Sequence, residues 1–171
     1  MKLAVCYSSA TGNTKMLAEA IAKALHCETS LFEAKKQPDL SGYDLIFAGF
    51  WTDKGTCDAA AQQLLQQCSG KTVALFGTAG FGREEQYFAD ILNRVKSRLP
   101  ADVQCLGGFL CQGKMPAAVR KRYEAMLEQN PEDAKAAMLL ENFDLALTHP
   151  DHADLQKAAV WAEQMVQQMQ N

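Results

Sequence analysis

Three short stretches of this sequence combine residue types that suit a ligand better than a core. Ser8-Ser9-Ala10-Thr11-Gly12-Asn13-Thr14 offers hydroxyls, a carboxamide and one glycine in an unbroken run. Placed ahead of a helix, such a loop presents hydroxyls and unpaired backbone N–H groups, the donor set that suits a phosphate. It lacks the leading glycine and the placed lysine of Gly-x-x-x-x-Gly-Lys-Ser/Thr, so it is not a P-loop. With a single glycine it is not a dinucleotide fingerprint either. The second stretch, Trp51-Thr52-Asp53-Lys54-Gly55-Thr56, sets a planar aromatic beside polar and charged residues, which fits a stacking partner for a flat ring. The third, Gly77-Thr78-Ala79-Gly80-Phe81-Gly82, is a glycine-rich turn with one aromatic.

Other candidate chemistry is weaker. His149-Pro150-Asp151-His152 with Asp154 has metal-ligand residue types, but Pro150 breaks the helix that an i, i+4 histidine pair would need, so a polar helix start is expected. The six cysteines contain no Cys-x-x-Cys pair, which points to scattered thiols in a reducing compartment rather than to disulfides or zinc. Nothing places a histidine beside the serines, so no nucleophilic triad is expected.

Hydrophobic patterning places the three stretches at one edge of a sheet. Leu3–Tyr7, Leu45–Phe50 and Thr72–Phe76 are continuous apolar runs, as parallel strands buried on both faces should be. Thr29–Phe32 and Val103–Cys111, the latter interrupted by Gly107-Gly108, complete five strands. Helical periodicity is expected over Thr14–Leu25, about Asp58–Gln67, and from the third loop to before Pro100, with a loop over Gln37–Gly42. This alternation implies an α/β fold, a three-layer sandwich on a five-stranded parallel sheet of order 2-1-3-4-5, with ligand loops at the carboxyl edge. Residues 113–171 hold no strand and form a helical extension of at least two helices on the sheet-forming part, 1–112. The terminal helix carries a stripe of Leu155, Ala159, Ala162, Val166 and Met169, with Asp151 or Asp154 as its cap.

The first loop matches at every defined position the Ser/Thr-x-Thr-Gly-x-Thr signature that follows the first strand in flavodoxins, and the chain resembles that family. The resemblance implies FMN as cofactor, with Ser8, Ser9, Ala10, Thr11, Gly12, Asn13 and Thr14 around its 5′-phosphate. It implies that Trp51, Thr52, Asp53, Lys54 and Gly55 flank the isoalloxazine, with the Gly55 peptide near the flavin N5. Thr78, Ala79, Gly80, Phe81 and Gly82 would form the other flanking loop, with Phe81 where many flavodoxins place a stacking tyrosine. Receiver domains share the strand order but need acids at the ends of the first and third strands, where this chain has Cys6-Tyr7 and Gly49-Phe50-Trp51. Trp51–Thr56, Cys111–Met115 and His149–Asp151 further resemble small flavodoxin-like proteins that accompany bilirubin reductase in gut bacteria, which implies an electron-transfer accessory role. An FMN-dependent reductase acting directly on a quinone or tetrapyrrole, and a flavin-free interaction module, remain as alternatives.

Composition narrows the partners. The 171 residues carry a net charge of −3, with 48% apolar and 22% charged residues, so disorder and a basic nucleic-acid face are excluded. No apolar run is long enough to span a membrane, and the first residues lack the h-region of a secretory signal, so a cytoplasmic protein is expected. Residues 123–156 hold eight acids against Lys135 alone, a segment of −7 on an otherwise positive chain. With no evident need for it in holding FMN, this segment is expected to dock a basic patch on a reductase. The cluster Lys114, Arg120, Lys121 and Arg122 just before it is expected to be a solvated, salt-bridged surface.

Overall fold

The computed structural model describes residues 1–82 and 84–170. β1 (Lys2–Tyr7) lies at the centre of its sheet half, with Leu3 to Cys6 fully buried. It pairs in parallel with β2 (Glu28–Glu33) on one side and β3 (Leu45–Asp53) on the other. β3 continues to β5 (Thr72–Ala79) and β5 to β6 (Gln104–Gln112), all parallel. The five long strands therefore run 2-1-3-4-5 when counted alone, as the periodicity implied. A sixth, two-residue strand, β4 (Thr56–Cys57), folds back antiparallel on the end of β3.

Alternation of side chains across the pleat divides the core in two. Leu3, Val5, Phe47 and Phe76 face a layer made by α1 (Asn13–Ala24) and the terminal helix α6 (His152–Gln170). Ala4, Cys6, Ile46, Val73 and Leu75 face the layer of α2 (Ala59–Gln66) and α3 (Glu85–Lys96). α6 is thus part of the sandwich itself. Of the expected stripe, Ala162 and Val166 are buried and Leu155 and Met169 pack against the core; Ala158 and Met165 are buried beside them, and Ala159 is only half-buried. Asp151 accepts from the Asp154 N–H and Asp154 from the Asp151 N–H, a reciprocal capping box at the start of the helix.

Two further details refine the sequence reading. The connection before β3 holds only a 3-10 turn, Ala34–Lys36, ahead of the expected loop. β6 is not broken at Gly107-Gly108; it skips a register step, with Val73 opposite Cys105 and Ala74 opposite Gly107, so Leu106 is the extra residue of a bulge. Between β6 and α6 stand α4 (Ala117–Gln129) and α5 (Ala134–Ala146), packed on each other as a helical hairpin. Arg120 fastens the pair, binding Glu124 on its own helix and Asp144 on α5, with its guanidinium 5.6 Å from the Phe143 ring centroid. Among the described residues no helix is long and apolar enough to cross a membrane.

Candidate functional site

A cavity of about 800 Å³ opens at the carboxyl edge of the sheet, within the roughly 300–1,000 Å³ typical of small-molecule sites. All three loops singled out by the sequence reach it. The first contributes Ala10, Thr11 and Asn13. Gly12, at φ 89°, takes the left-handed turn that starts α1, and no side chain caps that helix. The first turn of α1 contains no acid, and the first-turn N–H groups of a helix have no intrahelical acceptor. This end is open to an anion.

Not every hydroxyl of the loop faces the cavity. Ser8, buried, donates from Oγ to Asp58 Oδ1 at 2.7 Å. Ser9 Oγ accepts the Gly12 N–H at 3.1 Å and shapes the turn. Thr14, fully buried, has its hydroxyl 3.2 Å from the Phe50 carbonyl and 3.0 Å from the Thr78 hydroxyl, tying the first loop to the second and third. Thr11 is the loop hydroxyl that lines the cavity. Asn13 donates from Nδ2 to the Lys114 carbonyl at 2.8 Å, while its Oδ1 is buried without a partner.

The second loop is a hairpin. Thr52 pairs with Cys57 and Asp53 with Thr56, and the two residues between, Lys54 and Gly55, both have positive φ (49° and 80°), the signature of a type I′ turn. Trp51 to Gly55 all line the cavity. Asp58 holds this hairpin in place: its carboxylate caps α2 through the Ala60 and Ala61 N–H groups and also accepts from Ser8 and, at 3.4 Å, from the Trp51 N–H. Among the described residues, Thr52 Oγ1 is the second buried side-chain polar atom without a partner. Both orphaned atoms therefore belong to cavity residues, and each is costly unless a ligand or water completes it.

The third loop is longer in strand than its glycines suggested, since Gly77 to Ala79 still belong to β5. Thr78, Ala79, Gly80 and Phe81 line the cavity, whereas Gly82 packs against Gln112 outside it. Phe81 meets the Tyr87 ring edge-on at 5.5 Å. The Gly80 carbonyl accepts from Gln112 Nε2 at 3.1 Å and from Asn142 Nδ2 at 3.0 Å, and the two amides bond each other.

Apart from Met115, which falls in the Cys111–Met115 stretch, the fourth wall had no signal in the sequence. Met115, Pro116, Val119, Tyr123, Met138 and Leu139, with Asn142, bring the α4–α5 hairpin over the cavity, so the extension does help enclose the site. Tyr87 also lines it, its phenol pushed up by burial against a smaller opposing pull from Arg94. The thiols take no part in the site. All six are free, and burial pushes Cys6 to about 12 and Cys68 to about 11, leaving both protonated and unreactive. His149, Asp151 and Asp154 cluster at the start of α6, where His149 Nδ1 lies 2.6 Å from Asp154 Oδ2 as part of the capping arrangement.

A hydroxyl loop on an uncapped helix, an aromatic hairpin beside it and a doubly wound sheet beneath define a flavodoxin-type site. The flavodoxin domain family matches residues 4–163, and the chain belongs to that family. It is 35% identical over 170 residues to the flavodoxin-like domain-containing protein BilS of Clostridioides difficile (strain CD3), covering 97% of each chain. It is 39% identical over 173 residues to BilS of Clostridium symbiosum (strain WAL-14163), covering 91% of this chain and 90% of that one. The fold is also that of oxidised flavodoxin 2 from Bacillus cereus, at a TM-score of 0.65 and 19% identity over 98% of this chain and 99% of that one.

Proposed function

We propose that the chain binds FMN between its three sheet-edge loops and carries electrons to a partner protein, a reductase of the bilirubin or wider tetrapyrrole class. The observation that carries the flavin reading is the start of α1, uncapped and free of acids, in one cavity with Trp51 and two orphaned polar atoms. When bound, FMN supplies one- and two-electron oxidation and reduction; the protein supplies binding, orientation and electrostatics.

Thr11 and the first-turn amides of α1 would hold the phosphate. Asn13 Oδ1, an acceptor, suits a ribityl hydroxyl rather than a phosphate oxygen. Trp51 would stack on the ring, and Asp53 opposes negative charge gained there on reduction. Lys54 favours that charge, but it is exposed where Asp53 is half-buried, so the lysine is the more screened of the two.

The acidic segment supports a basic docking partner. Its members are not equivalent, however: Glu124 serves the Arg120 clasp and Asp133 caps α5. Glu128 and Glu132 are exposed. The six unpaired thiols suit the reducing cytoplasm. Mass analysis of the ligand released from purified protein should find FMN. Stopped-flow electron transfer from the reduced protein to its reductase should slow with salt and in Glu128→Gln/Glu132→Gln. Release of FAD, or transfer rates blind to both salt and charge, would contradict the two halves of the reading in turn.

A further inference from the structure

The cavity does not end at the loops that would hold a flavin. It continues onto the α4–α5 hairpin, whose wall of Met115, Val119, Met138 and Leu139 is apolar and adaptable, and Met138 keeps 40% of its surface exposed. In the reading above the three loops supply the phosphate site, the stacking face and the edge amides, so this wall, which closes the same cavity from the other side, offers apolar surface to a second ligand.

Charge adds a second, independent observation. The chain is −3 overall and its 123–156 segment −7, yet the charged side chains lining the cavity are Lys54, Lys114 and Arg122 against Asp53 alone. None of the three cations forms an ion pair among the described residues; the acids Glu124 and Asp144 are taken by Arg120. A positive mouth in a negative protein concentrates anions. Lys114 lies beside the phosphate loop, its carbonyl bonded to Asn13. Arg122 stands further along α4, with its guanidinium 5.4 Å from the Tyr123 ring centroid. An arginine on an aromatic ring at the edge of an apolar wall suits a flat molecule that ends in a carboxylate or sulfonate.

We propose that the hairpin wall and Arg122 form a second ligand compartment for a flat, apolar, anionic small molecule, held next to the flavin. The inference rests on the reading above for what fills the loops. It makes the chain able to serve a small acceptor directly. A quinone that carries a carboxylate or sulfonate would be held there next to the loops, where reduced FMN, if bound, would supply the two electrons and two protons that convert it to the hydroquinone. A protein reductase, or dithionite in vitro, restores the reduced flavin.

The test is calorimetric and involves no turnover. FMN-loaded protein is titrated with naphthalene-2-sulfonate and with its uncharged analogue 2-naphthalenemethanol. Saturable binding of the sulfonate is expected, weakened about tenfold in Arg122→Gln, the worth of one charge-assisted hydrogen bond, with the uncharged analogue unaffected. Val119→Asp should remove binding of both. Absence of saturable sulfonate binding to the wild type overturns the proposal, as does an Arg122→Gln change equal for both probes. If the chain takes up no FMN, the flavin reading fails on its own, and the same titration of the flavin-free protein still tests the compartment.

Discussion

Asn142 should be the residue of the helical extension on which the flavin-facing loops depend most. Its side chain is 1% exposed and makes two bonds: Nδ2 to the Gly80 carbonyl and Oδ1 from Gln112 Nε2, each at 3.0 Å. Asn142→Ala removes both, while Gly80 keeps Gln112 as a donor and Gln112 keeps Gly80 as an acceptor. No group is left wholly unpaired, so the loss is about 1 kcal/mol per bond plus a cost for the space vacated, about 2–3 kcal/mol in all. The effect on the site follows from peptide geometry. In a trans peptide the carbonyl and the next N–H point in opposite directions, so holding the Gly80 carbonyl toward the two amides also fixes the direction of the Phe81 N–H. Loosening that peptide should weaken FMN several-fold, and riboflavin by the same factor, because the phosphate end is untouched. Urea unfolding of the flavin-free protein measures the first loss, and fluorescence titration with both flavins the second. An Asn142→Ala protein of unchanged stability and flavin affinity would refute the reasoning, as would a loss confined to FMN.

Three other outcomes are expected. Thr11→Ala should weaken FMN but spare riboflavin, by about 1.5–3 kcal/mol for a bond to a charged group, whereas Thr14→Ala should lower stability and affect both flavins, since its hydroxyl serves Phe50 and Thr78; paired titrations and melts separate them. Gly55→Ala places a side chain at φ 80° and should cost about 1–2 kcal/mol in stability while weakening flavin binding, read by the same melts and titrations. The raised thiols predict alkaline weakening. Because Cys6 and Cys68 titrate near 12 and 11 when folded and near 9.0 in an ordinary setting, the unfolded chain loses those protons first, so stability present below pH 9 should fall as pH rises past it. Urea midpoints from pH 8 to 10.5 should show that fall, reduced in Cys6→Ala/Cys68→Ala.

The sheet was legible in the sequence because strands buried on both faces leave unbroken apolar runs, as Leu3–Cys6 and Leu45–Phe50 do. The loop positions followed from strand order, which brings the ends of β1, β3 and β5 to one edge. Direction within those loops was not legible: Ser8, Thr11 and Thr14 are alike as residue types, and only the fold decides that Ser8 and Thr14 bond protein groups while Thr11 lines the cavity. The hairpin at Trp51–Cys57 had a usable signal in Asp53-Lys54-Gly55-Thr56, a turn sequence between residues that can pair. The hairpin wall had none. α4 buries only Tyr123, and α5 is apolar on several faces at once, with Met138 and Leu145 exposed beside buried Phe143, so neither helix has a stripe that says what it covers.

The proposed FMN site is organised around the phosphate. Titration of flavin-free protein with FMN and with riboflavin, followed by flavin and tryptophan fluorescence, tests it most directly. One FMN per chain should bind at micromolar concentration or below, with riboflavin clearly weaker and the difference reduced in Thr11→Ala. No uptake of FMN at micromolar concentration, or equal affinity for the two flavins, would contradict it.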